Sequence, residues 1–203
     1  MTALNKTFTP LRVLALISVL GLAPQLQGCV PLIAGGAGAA VLAIDDRRSA
    51  GAQTEDKEIA LRGESRINDR FGDRVHINVT SFNRNVLLTG EAPDAASKTQ
   101  IEKIVREIPN VRGVVNEIQI AGASSYSSRG NDTYITSKVK ARFIDEGKGF
   151  SANDIKVVTE SNVVYLLGLV TRAEAEAAVE IARTTGGVQK VVRVFEYIAA
   201  PPK

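Results

Sequence analysis

Apolar positions in the later part of the chain fall into two matching series. The first, INVTSFNRNVLLTGEAPDAASKTQIEKIVREIPNVRGVVNEIQI, starts at Ile77, and the second, IKVVTESNVVYLLGLVTRAEAEAAVEIARTTGGVQKVVRVFEYI, starts at Ile155. Ile77 aligns with Ile155, Val79 with Val157, Val86 with Val164, Leu88 with Leu166 and Gly90 with Gly168. After a one-residue shift, Val111, Val114 and Val115 align with Val188, Val191 and Val192. Such regular matching marks an internal duplication. In each copy the alternation seen at Ile77 and Val79 predicts a strand with one buried face. A polar turn follows, Asn83-Arg84-Asn85 or Ser161-Asn162, and then a second strand ending at the glycine, so the two strands read as a hairpin. Next, Ile101, Ile104, Val105 and Ile108 share one face at helical spacing, as do Ala175, Ala178, Val179 and Ala182. Pro109 and Gly186-Gly187 stop those helices, and GVVNEIQI or KVVRVFEYI supplies a closing strand.

A further helix precedes each hairpin. Ile59, Ile67 and Phe71 mark its buried face in the first copy; Ile135, Val139 and Phe143 do so in the second, with Asp132 as the expected N-cap. The fold class is therefore α+β: two tandem domains, each α-β-β-α-β, with a small mixed three-stranded sheet and two helices packed on one face. The expected boundaries are 55–121 and 131–198 for the two domains, 122–130 for a Gly/Ser-rich linker and 199–203 for a tail.

The start of the chain follows another pattern. Lys6 and Arg12 lie in a basic region without acids, Leu11 to Ala23 is largely apolar, and small residues follow. That is the layout of a secretory signal covering residues 1–28. Its apolar run falls short of the roughly 20 residues a bilayer span needs. Leu26-Gln27-Gly28-Cys29 resembles a lipobox. The resemblance implies cleavage between Gly28 and Cys29, a diacylglyceryl thioether on Cys29 and an acyl chain on its new amine. Val30, rather than an aspartate, then implies sorting to the periplasmic face of the outer membrane. Residues 29–54 are expected to form an acylated tether. Processing also alters the charge, since loss of Lys6 and Arg12 reduces 25 basic residues to 23, against 22 acidic ones. A formal +3 becomes close to +1, which argues against nucleic acid as a partner.

VLLTG and VYLLG, each closing a hairpin, and the later NVRGVV and GVQKVV resemble the signature of the BON domain, a phospholipid-associated periplasmic module. Asn110 stands where the second copy has Gly187, which predicts a less left-handed turn. Together with the lipobox, DDRRSAGAQ and NDTYITSKVKARF, the chain resembles the dual-BON outer-membrane lipoproteins. On the second domain's first helix, Tyr134, Ser137, Lys138, Ala141 and Ile144 lie on one face at 100° per residue. A tyrosine and an isoleucine beside a lysine suit a membrane interface. The resemblance implies that this face contacts anionic phospholipid such as phosphatidylglycerol, with Tyr134 in place of the family's usual tryptophan. It also implies a part in outer-membrane integrity, near division sites. The alternative is an adaptor that binds envelope proteins through open sheet edges without recognising lipid.

Catalytic and metal chemistry finds little support in the pattern. One histidine, His76, and one cysteine, Cys29, are a poor basis for a zinc site. His76 sits at a strand entrance between Val75 and Ile77, where a lone histidine reads as a solvated or hydrogen-bonded strand residue, so no enzyme activity and no cofactor beyond the acyl groups are expected. GGAGAAV, residues 35–41, lacks the Lys-Ser/Thr of a phosphate-binding loop and reads as an apolar part of the tether. Arg62, Arg66, Arg70 and Arg74 form a stripe that could meet phosphate, but Glu58, Asp69 and Asp73 at pairing distance favour a salt-bridged, solvated face.

Overall fold

The computed structural model describes residues 46–122, 124–146 and 149–199. Gly28, Cys29, the rest of the signal segment and most of the expected tether lie outside the described residues. Helix α1 (Ala50–Phe71) leads to strands β1 (His76–Phe82) and β2 (Asn85–Ala92), then α2 (Ala95–Arg106) and the short strands β3 (Gly113–Asn116) and β4 (Gln119–Ile120). The second copy repeats the order with α3 (Tyr126–Glu146), β5 (Ile155–Glu160), β6 (Val163–Val170), α4 (Arg172–Arg183) and β7 (Lys190–Tyr197). Each hairpin is antiparallel, and each closing strand joins the hairpin's second strand in parallel. Parallel pairing follows from the connection, because a helix carries the chain back to the starting end of the sheet. In the first domain the closing strand is broken at Glu117-Ile118, where Ile118 turns into the core.

Alternation along the strands separates two kinds of burial. Val79, Val86, Leu88 and Ala92 face α1 and α2 and pack with Ile59, Ile67, Ile101 and Val105. Val157, Val164, Leu166 and Val170 do the same beneath α3 and α4, with Ile135, Val139, Phe143 and Ala178. The opposite sheet faces are buried against each other: Phe82 and Leu87 from the first domain pack with Tyr165, Leu167 and Leu169 from the second. The body is thus layered helix, sheet, sheet, helix. Burial pushes the Tyr165 hydroxyl up to about 12, with Glu117 and Glu160 adding repulsion.

Two local expectations are corrected. Helix α3 begins at Tyr126 rather than after Asp132, because Ser125 takes the capping role, its hydroxyl accepting from the Ser128 N–H at 3.2 Å. The Asp132 carboxylate instead accepts the backbone N–H groups of Ser161 and Asn162 at 2.9 and 2.8 Å. Asp56 does the same for Asn83 and Arg84 at 2.8 and 2.7 Å. Each hairpin turn has two residues at positive φ, whose N–H groups point the same way, and a buried carboxylate from the preceding helix collects both. Finally, Asn110 has φ +68° and Gly187 +102°, so the first turn is left-handed despite its asparagine, which tolerates that region.

The chain ahead of α1 is fastened to both domains. Arg47 donates to Glu174 at 2.7 and 2.8 Å and to the Leu169 carbonyl at 2.9 Å. Arg48 pairs with Asp56 at 2.8 Å and lies 4.0 Å from the centre of the Phe82 ring. Helix α1 and these contacts begin well inside the stretch expected to be tether.

Candidate functional site

Helix α3 buries Ile135, Val139 and Phe143 and turns its far side to solvent. Residues three and four apart stack along a helix, so the far side gathers Tyr134, Ser137, Lys138, Ala141 and Ile144. Tyr134 is 63% exposed and Ile144 75%. Ser137 and Ala141 are exposed between them, and Lys138 is half-buried. The Ser137 hydroxyl donates to the Thr133 carbonyl at 3.0 Å, so it spends its proton on the helix itself. The Lys138 ammonium lies 5.0 Å from the Tyr134 ring centre and also donates to the Gly186 carbonyl. Cation, ring and terminal aliphatic group therefore share one surface stripe. Tyr134 takes no part in the joint between domains, which is built from sheet faces.

On the rim of that helix Arg142 donates to the Ile181 carbonyl and to Thr184 and Thr185, tying α3 to the end of α4. The stripe is thus carried on a firmly seated element.

The arginine stripe of α1 and the turn after it keeps the expected salt-bridged face only in part. Arg62 pairs with Glu58 at 2.9 Å. Arg70 meets the side-chain oxygen of Gln100 on α2, and Arg74 donates to the carbonyls of Phe71 and Arg70. Among the described residues, Asp69 and Asp73 form no ion pair with them. Three of the four arginines have their donors engaged by the protein, which weakens the stripe as a phosphate site.

His76 lies at the joint between domains. Its cross-strand partner is Glu91, and Glu160 approaches from the second domain. One potential ligand atom from each of the three lies within 4.8 Å of the others. Glu160 accepts from Asn78 Nδ2 at 2.8 Å. Burial pushes the Glu160 carboxyl above its ordinary range; the Asn78 hydrogen bond opposes this and repulsion from Glu91 reinforces it. Sequence reasoning named only the histidine, and expected neither catalysis nor a metal there. The two glutamates carry no local motif, and their partnership depends on how the domains stack.

Among the described residues no helix is long and apolar enough to cross a membrane. The BON domain profile matches residues 55–122 and 131–199. The chain is 32% identical over 194 residues to the outer membrane lipoprotein DolP of Haemophilus influenzae, covering 95% of this chain and 99% of that protein. It is 30% identical over 155 residues to a 21 kDa hemolysin of Actinobacillus pleuropneumoniae, covering 75% and 79% of the respective chains. Among solved structures, CdsD, a structural protein of the type III secretion system of Chlamydia trachomatis, aligns over 70% of this chain and 93% of its own at 10% identity, with a TM-score of 0.30.

Proposed function

The chain belongs to the BON-domain family as a dual-BON outer-membrane lipoprotein of the DolP kind, and from that premise we propose that it reads anionic phospholipid through helix α3. In this reading Cys29, freed by cleavage after Gly28 and acylated, holds the protein on the periplasmic face of the outer membrane. Each buried methylene of an acyl chain contributes about 0.8 kcal/mol, so several chains give long residence. The α3 stripe adds selectivity: Tyr134 and Ile144 enter the headgroup boundary while Lys138 meets phosphate. Tethering makes a weak contact effective, because the local lipid concentration is high. The protein so placed supports outer-membrane integrity, with enrichment at division sites following from the lipid composition there. No catalytic step is needed.

The observation carrying this reading is the pair of large apolar side chains, Tyr134 and Ile144, left mostly exposed on a helix whose other side is fully packed. A soluble form starting at residue 39 keeps Arg47, Arg48 and the cap of α1. Mixed with phosphatidylglycerol vesicles, it is expected to co-sediment, and Tyr134→Ser with Ile144→Ser to lower that binding about tenfold. Phosphatidylcholine vesicles should bind far less. Equal binding by the double variant would remove α3 as the reader. Absence of binding to either vesicle would favour an adaptor that uses sheet edges such as β7.

A further inference from the structure

We propose that His76, Glu91 and Glu160 bind a divalent transition-metal ion, of which zinc is the natural probe, and that the ion pins the two domains together at their joint. The three residues come from three strands and both domains. In the β1–β2 register His76 lies directly opposite Glu91, and the alternation that buries Val79 and Leu88 under the helices turns this pair toward the second sheet. Glu160, the last residue of β5, reaches the same point and is held there by Asn78, two positions along β1 from His76. Gly90 keeps the two strands close at this end: a Cβ there would stand 1.9 Å from the His76 carbonyl oxygen.

The chemistry of the cluster favours a cation. Glu91 and Glu160 are each only 4% exposed. Two carboxylates at close range repel, and Glu91 Oε2 is buried with no hydrogen-bond partner. Buried acceptors are nearly always satisfied, and an orphan on a charged group is costly. A histidinium would leave one negative charge over. A neutral imidazole and two carboxylates around a doubly charged ion reach neutrality and give the orphan oxygen its partner. Imidazole with carboxylate is a ligand set that zinc accepts, and three protein ligands leave a fourth position for water. Tetrahedral ligands stand about 3.4 Å apart at bond lengths near 2.1 Å. The present triangle, whose atoms lie within 4.8 Å of one another, would have to contract to that size when the ion binds. Access is provided by a cleft of about 610 Å³, lined by His76 and Glu160 on one side and by Thr133, Ser137 and Lys140 of α3 on the other, with Arg129 also on its wall. The site is independent of the lipid reading, although its cleft shares α3.

The test uses the full chain in detergent micelles, stripped with a chelator and titrated with zinc by calorimetry, with cobalt absorption as a second readout. One zinc per chain is expected, with a rise in the unfolding temperature that chelator reverses. Glu160→Gln and His76→Gln should each weaken binding at least tenfold while leaving the circular dichroism spectrum unchanged. Glu91→Gln should do the same, but the first two variants decide the matter if it fails to fold. Zinc binding that survives both substitutions would place the ion elsewhere and overturn the proposal. So would an unfolding temperature indifferent to zinc, which would assign the cluster to a proton shared between histidine and carboxylate.

Discussion

Glu174 illustrates how much a single side chain is asked to do. It closes the capping box of α4 with Thr171 and at the same time receives both terminal nitrogens of Arg47. The arginine hydrogen bonds, with help from Thr171, hold its carboxyl at about 2, well under the ordinary 4.5. A depressed carboxyl stabilises the fold fully above its ordinary value and loses that contribution as pH falls toward the folded value. Glu174→Gln should therefore flatten the acid limb of the stability curve between about pH 4.5 and 2, an effect that urea unfolding across that range would measure. At neutral pH the same substitution should lower stability only modestly, since the pair with Arg47 is partly open to water.

At the scale of elements, the glycine closing each hairpin is a point of contact between backbones. A Cβ on Gly168 would stand 2.6 Å from the Asp154 carbonyl oxygen, and Gly90, at φ +107°, is tighter still. Gly90→Ala should cost more than about 3 kcal/mol, since β1 and β2 must part as well as the residue strain. Gly122→Ala, with open space around it, should be nearly neutral; thermal unfolding of the two variants would show the contrast. This glycine is also why the duplication was legible, because a residue that no other can replace stands out at a fixed spacing in both copies. Hairpins, helices and their stops were readable for a similar reason: each depends on period and on neighbours a few residues away. The capping of α3 was not, because Ser125 and Asp132 are both good N-caps in isolation. Only the left-handed turn at Ser161-Asn162, 29 and 30 residues further on, draws the aspartate away. Of the candidate lipid face, the helical stripe could be drawn from sequence, but the exposure of Tyr134 and Ile144 needed the rest of the fold.

At the scale of the whole molecule, the back-to-back sheets decide what the chain can do as a unit. Strand alternation predicts that each sheet has a second apolar face, as in VYLLGLV, but not what covers it. The cover is the other domain, and so the glutamates near His76 became neighbours without any motif to announce them. Leu167 is 1% exposed at the centre of that joint. Leu167→Asp should place an unpaired charge there and cost about 3 kcal/mol or more. Small-angle scattering should show a larger radius of gyration as the halves separate. The double fastening ahead of α1 has a mechanical meaning. Tension drawn through residue 46 is divided at once, Arg47 passing it to the hairpin and helix of the second half and Arg48 to the first. Because the load path forks before α1 begins, a pull on the chain ahead of residue 46 is expected to drag the two halves together instead of peeling one from the other.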